Sequence, residues 1–255
     1  MLGGPCQKRG NHATSLHFGT ENRIAMLHTK KAAPRLLACL LLSLLTVPLW
    51  AADKASDEET LSNAANVLRA MLESNDVPAS VLAKANCIII LPAVKKFAVG
   101  VGGSGGRGPM SCRLGKDFNG KWSAPAMYTI GGASAGLQIG GSSSDYVLLI
   151  MAPSAVQKVL ESKTKVGQDM TAAAGTSGAT TTGAEGGADI LTYGRTKGLF
   201  AGVSLAGTTL DPDHDANQRL YGGPTTVATI VRDNSVKITP GGQALVALLD
   251  SKAGR

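Results

Sequence analysis

At 255 residues the chain has room for one or two domains. With 44% hydrophobic but only 4% aromatic residues, and 32 glycines, its core has to be aliphatic with many close backbone approaches. The formal net charge of +7 misleads, because six Lys/Arg and one acid fall in residues 1–51 and leave about +2 for the rest, so the basic balance is weak evidence for nucleic acid or any other polyanion.

Leu36–Trp50 (LLACLLLSLLTVPLW) follows Lys30, Lys31 and Arg35 and precedes Ala51-Ala52-Asp53. A basic start, an apolar centre and small residues predict a secretory signal peptide cleaved near Ala51 or Ala52. The run is shorter than the roughly 20 residues that span a bilayer as a helix; an uncleaved anchor is the alternative. Leu36-Leu37-Ala38-Cys39 loosely resembles a lipobox, but most of the apolar run lies after the cysteine rather than before it. Met26-Leu-His-Thr-Lys-Lys reads as the start of such a leader. Residues 1–51 are therefore expected to be an extension plus leader, and residues 52–255 a single domain, periplasmic or at the outer surface. Cys6 and Cys39 would leave with the leader. Cys87 and Cys112 would remain, to form one disulfide or two buried thiols.

Leu61, Ala64, Ala65, Leu68, Met71 and Leu72 recur at helical spacing, with Asp57, Glu58 and Glu59 near the end where the helix dipole favours acids. The polar face lacks the Lys/Arg excess of interfacial helices, so core packing is the better reading. Val77-Pro78 breaks the pattern, and Pro78–Ala85 predicts a short helix. Cys87–Leu91 reads as a buried strand and Phe97–Val101 as a second, with Lys95-Lys96 in the turn between them. A glycine loop, Gly100–Gly108, and a strand at Met110–Arg113 follow. Asp117-Phe-Asn-Gly120 signals a turn. Ala126–Ile130, Ala135–Ile139 and Tyr146–Met151 read as extended, Ser154–Ser162 as a helix, and Thr171–Ala188 as a flexible loop. Next come apolar runs at Gly198–Leu205 and Thr208–Leu210, then a carboxylate loop (Asp211, Asp213, Asp215). An apolar run Thr226–Val231 and a helix Gln243–Leu249 complete the chain. The pattern predicts an α+β fold: a mainly antiparallel sheet or barrel-like β core with a few packed helices.

Gly100-Val-Gly102-Gly-Ser-Gly105 spells a dinucleotide fingerprint but leads into Arg107-Gly-Pro109 rather than a helix. Gly102–Gly106 and Gly132–Gly136 both match Gly-x-Ser-x-Gly, yet after residue 51 the only histidine is His214. His214 with Asp211, Asp213 and Asp215 loosely resembles a calcium loop, but Ala216 and Gly222 stand where its glycine and glutamate belong. No catalytic residue, metal ligand set or cofactor is predicted. The remaining candidates are Lys95, Lys96, Arg107, Arg113, Lys116, Lys121, Arg195 and Lys197, in or near predicted turns and strand ends. Brought together, they could neutralise a lipid phosphate. Dispersed, they are solubilising charge.

Three stretches together resemble the SYLF family. The first is Ala85-Asn-Cys87 through Pro92, with Met110-Ser-Cys112-Arg113 downstream. The second is Gly120-Lys-Trp122-Ser-Ala-Pro125-Ala126, leading to Gly136-Leu-Gln-Ile-Gly140 and Asp145–Ile150. The third is Arg195-Thr-Lys197 through Ser204, then Asn217 and Tyr221-Gly222. The resemblance covers roughly residues 60–230 and is to an exported bacterial member. It implies a non-enzymatic lipid-binding module, phosphoinositide-binding and actin-bundling in eukaryotic relatives, and favours a Cys87–Cys112 disulfide. Two departures stand out: Gly175-Thr-Ser-Gly178-Ala179 lacks the basic group usual there, and the N-terminal helix credited with membrane contact starts acidic. The expected partner is a phospholipid membrane surface, with an envelope protein as the alternative.

Overall fold

The structure is a computed structural model that describes residues 49–161, 163–166, 168–174, 188–198, 205, 207–233 and 235–253. The expected leader up to residue 48, most of the Thr171–Ala188 loop and most of the run Gly198–Leu205 lie outside the described residues.

Two strands organise the molecule: β1 (Cys87–Cys112) and β2 (Ala126–Ile150). They pair antiparallel over their full lengths, Cys87 opposite Ile150 and Met110 opposite Ala126. This corrects the division into six short strands, and it places Lys95 and Lys96 inside β1 rather than in a turn. In the sequence alone glycine reads as punctuation. Here Gly102–Gly105 of β1 faces the small-residue stretch 131–134 of β2, and two chains with little side-chain bulk pair closely without interrupting the ladder. The register slips twice, between Leu91 and Val94 and between Val99 and Val101. At the first slip Ala93 adopts φ +50 and its N–H donates to Asp145 Oδ1 at 2.8 Å.

A straight strand of this length would span roughly 80 Å. Yet Cys87 and Cys112, its first and last residues, are joined by a disulfide with Cα atoms 4.0 Å apart. β1 therefore doubles back on itself. A Cβ on Gly108 would lie 1.9 Å from Ile90 O, one on Gly106 2.8 Å from Val94 Cγ2, and one on Gly103 3.3 Å from Phe97 Cζ. These approaches step inward along the chain and leave the bend around residues 98–102. β2 follows β1 through it, so the ribbon wraps a core and makes the sheet barrel-like.

Short strands extend the sheet on both sides. β3 (Thr164–Lys165) pairs with β6 (Thr209–Pro212), which pairs with Tyr128–Gly131 of β2. β5 (Ile190–Gly198) pairs antiparallel with Ser142–Ile150, and β4 (Ala172–Ala174) runs parallel to β5. Residues 172–174 are thus strand, not loop.

Alternate strand residues point to opposite faces and fill two cores. Ile89, Leu91, Met110, Tyr128, Tyr146 and Leu148 pack with α3 (Pro153–Glu161) and α5 (Val227–Val231). Ile88, Ile90, Val147 and Leu149 pack under α1 (Leu49–Glu73), α6 (Pro240–Lys252) and the short α2 (Ala79–Leu82). α1 buries Leu61, Ala64, Ala65, Leu68 and Met71, the stripe its spacing predicts. It begins earlier than Leu61, and its polar first part is tied down by Asp57, described below. The fold is α+β. Among the described residues no helix is long and apolar enough to cross a membrane.

Candidate functional site

The register of three adjacent strands sets the candidate site. Ser143 of β2 stands opposite both Lys95 of β1 and Lys197 of β5, so two cationic positions flank one hydroxyl. Lys95 is exposed and its Nζ donates to Ser143 Oγ at 3.2 Å. Lys96, on the other face of β1, lies with Nζ 5.3 Å from the centroid of the Tyr146 ring. Between residues 94 and 144 the chain holds Lys95, Lys96, Arg107, Arg113, Lys116 and Lys121 against one acid, Asp117.

The three arginines of the candidate set do different work. Arg195 Nε donates to Asp76 Oδ2 at 3.0 Å and its Nη2 to Ala70 O at 3.2 Å, which clamps the C-terminal end of α1 to β5. Asp76 is held below the ordinary carboxylate value, first by the Ser74 hydroxyl and then by the Arg195 guanidinium. Arg107 pairs with Asp57, as does Arg219, whose Nε lies 2.7 Å from Asp57 Oδ2. The Asp57 side chain is wholly buried between these two cations, and its hydrogen bond raises the Arg219 guanidinium above its usual value. Arg113 is 1% exposed. It donates to the carbonyls of Ala83, Ala85, Gly120 and Ala253 and stacks 4.6 Å from the Trp122 ring centroid. This corrects its expected place on a head-group surface: four carbonyls hold it inside, where it ties the turn after β1 to the end of α6. Lys116 and Lys121 are exposed in that same turn, at the end of β1 remote from the bend. The positions of Lys95 and Lys197 are therefore brought together on one face, two residues from the ion-paired Arg195; Lys96 lies on the other face, and Arg107, Arg113, Lys116 and Lys121 stand elsewhere.

Several features carry no signal when the chain is read as short strands. Phe97, Val99 and Val101 are 66%, 76% and 72% exposed, the large hydrophobics so exposed among the described residues, and they sit at the bend of β1. A cleft of about 640 Å³ lies between the start of α1 and the C-terminal helices, with Lys54, Thr225, Thr229, Ser235 and Lys237 among its lining residues. None of the eight candidate cations lines it.

The carboxylate loop is corrected to a helix, α4 (His214–Tyr221), with Asp213 as its N-cap accepting from Ala216 N at 3.0 Å. A cap residue followed by inward Ala216, Asn217 and Leu220 was the available signal. Asn217 is buried and meets Met127 as a strand would, accepting from its N–H at 2.7 Å and donating to its C=O at 3.0 Å. Both Gly-x-Ser-x-Gly matches lie within β1 and β2, without the strand–turn–helix bend of a nucleophile elbow. Among the described residues no three His, Cys, Asp or Glu side chains are grouped to hold a metal ion.

Residues 131–252 match the Ysc84 family, described as "Las17-binding protein actin regulator". Protein YSC84 of Saccharomyces cerevisiae is 32% identical over 203 residues, 74% of this chain and 42% of the yeast protein. LAS seventeen-binding protein 3 of the same yeast is 31% identical over 203 residues, 74% of this chain and 43% of that protein. Human SH3 domain-containing YSC84-like protein 1 is 35% identical over 149 residues, 57% of this chain and 42% of its own length. The chain thus spans less than half the length of these relatives. No solved structure matches it. Residues 131–150 of β2, β5 and Asn217 all fall in the matched segment, and the chain belongs to the Ysc84 (SYLF) family.

Proposed function

We propose that this chain is an exported, non-enzymatic lipid-binding protein that engages anionic phospholipid or phosphoinositide-like head groups at a membrane surface. The observation that carries this reading is the register Lys95–Ser143–Lys197, which sets two cationic positions on either side of one hydroxyl. Lysines near an anionic surface contribute about 1 kcal/mol each. Lys95→Ala with Lys197→Ala is therefore expected to weaken binding about thirtyfold at low salt. The test is co-sedimentation of the full chain with vesicles of graded anionic lipid content, at low and high salt. Saturable binding that grows with anionic content and weakens with salt supports the reading. Binding indifferent to both, or absent, overturns it.

A second reading is an envelope structural or assembly protein that binds a protein partner. It is supported by the names of the relatives, one of which is a LAS seventeen-binding protein. Capture of one stoichiometric protein that survives detergent, with no vesicle binding, would favour it.

A further inference from the structure

We infer that the bend of the β1–β2 ribbon is a membrane-insertion tip, with Phe97, Val99 and Val101 entering the interfacial layer of an anionic bilayer while Lys95, beside the Lys197 position of β5, stays at the head groups. The inference rests on the lipid-binding reading above and goes further, because it names the element that enters the bilayer and the depth it reaches.

Three observations carry it. The first is exposure: Phe97, Val99 and Val101 stand out at alternate positions of β1, although the other large apolar side chains of the sheet among the described residues are buried in its two cores. A row of this kind marks an interaction surface. The second is position. The contacts of Gly108 with Ile90, Gly106 with Val94 and Gly103 with Phe97 make the row the turning point of a folded-back ribbon. It also continues the face of the sheet that α1 covers. Arg195 marks where α1 ends, Lys95 and Lys197 come next, and the apolar residues lie beyond them. The third is charge. No Asp or Glu occurs between residues 94 and 116, nor between 118 and 144, so the bend itself carries no acid; the nearest on that face, Asp145, accepts from the Ala93 N–H.

Strand geometry sets the depth. At about 3.3 Å per residue, Phe97 lies roughly 7 Å and Lys95 roughly 13 Å behind Val99 along the strand. An apolar reach of that size matches the roughly 5–10 Å to which interfacial elements enter the headgroup and acyl boundary. It leaves the Lys95 ammonium level with the phosphates. Pairing of β1 with β2 satisfies one edge of each strand, but unpaired N–H and C=O groups on the outer edges would be costly in hydrocarbon. The tip therefore stops at the interface.

The test is made on the full chain with vesicles of phosphatidylcholine and phosphatidylglycerol. Phe97→Trp reports depth through quenching by lipids brominated along the acyl chain, read as the difference from the parent protein. That readout is independent of any anchoring by the apolar segment 36–50. Quenching strongest with bromines nearest the head group is expected. Phe97→Ser, Val99→Ser and Val101→Ser together should lower vesicle affinity at least about tenfold while leaving the melting temperature unchanged, since these side chains are exposed. Absence of vesicle binding by the parent overturns the lipid reading and this inference with it. Parent binding, with no added quenching in the Phe97→Trp variant and undiminished affinity in the triple variant, overturns the inference alone. So does a parent dimer that the triple variant converts to monomer at unchanged vesicle affinity.

Discussion

At the residue scale, the charges that hold the fold are those the sequence hides. Arg113 follows Cys112 at a strand end and looks like any surface cation, yet its guanidinium meets four backbone carbonyls and an indole. Hydrogen bonds to a charged group contribute about 1.5–3 kcal/mol each when the group is removed. Arg113→Ala is expected to cost more than about 3 kcal/mol in a urea unfolding series, and Arg113→Lys less, because the ammonium keeps the charge but not the planar fork. Asp57 is equally unreadable, since in the sequence it belongs to a run of acids that suits a solvated helix start. Asp76 gives a pH signature. Its folded value is held below the ordinary 3.8, so the unfolded chain binds more protons in that range. Its contribution is fully present above the ordinary value and is lost as pH falls through the folded value. Asp76→Asn should lower the melting temperature near neutral pH, and the difference from the parent should close as the pH falls below the ordinary carboxylate range.

At the element scale, helices are more legible than strands. The stripes of α1, α3 and α6 repeat at helical spacing, and their cores follow from it. The sheet reads as short pieces because its glycines are neither turns nor loops; Gly103, Gly106 and Gly108 are places where one half of β1 passes close to the other, a relation no local window contains. Gly108 and Gly105 separate the two meanings. A Cβ at Gly108 would sit 1.9 Å from a backbone oxygen that cannot step aside, whereas the nearest atom to one at Gly105 is 4.0 Å away. Gly108→Ala is expected to cost at least about 2 kcal/mol or to abolish soluble expression, and Gly105→Ala less than about 1 kcal/mol, as read by thermal unfolding. The disulfide closes a loop of 25 residues across the same fold-back. Replacing both cysteines by alanine should lower stability by about 3 kcal/mol, seen as a lower denaturant midpoint.

At the scale of the whole molecule, the relatives are more than twice as long as the part they share with this chain, so partners implied by their names belong to whole proteins. What this chain offers by itself is a sheet whose bend joins lysines to an uncovered apolar row. Candidate cations are legible one by one; their grouping is not, because it depends on the register of β1, β2 and β5. That grouping separates two contributions by their response to salt. Screening shortens electrostatic reach from about 10 Å at 0.1 M to about 3 Å at 1 M, while apolar burial is not screened. Vesicle affinity measured across a salt series should fall and then level off. Lys95→Ala with Lys197→Ala should flatten the fall and leave the plateau. The serine triple at Phe97, Val99 and Val101 should keep the slope and drop the plateau. Two variants that shifted the whole curve alike would mean that lysines and apolar row do not act as separate parts of one surface.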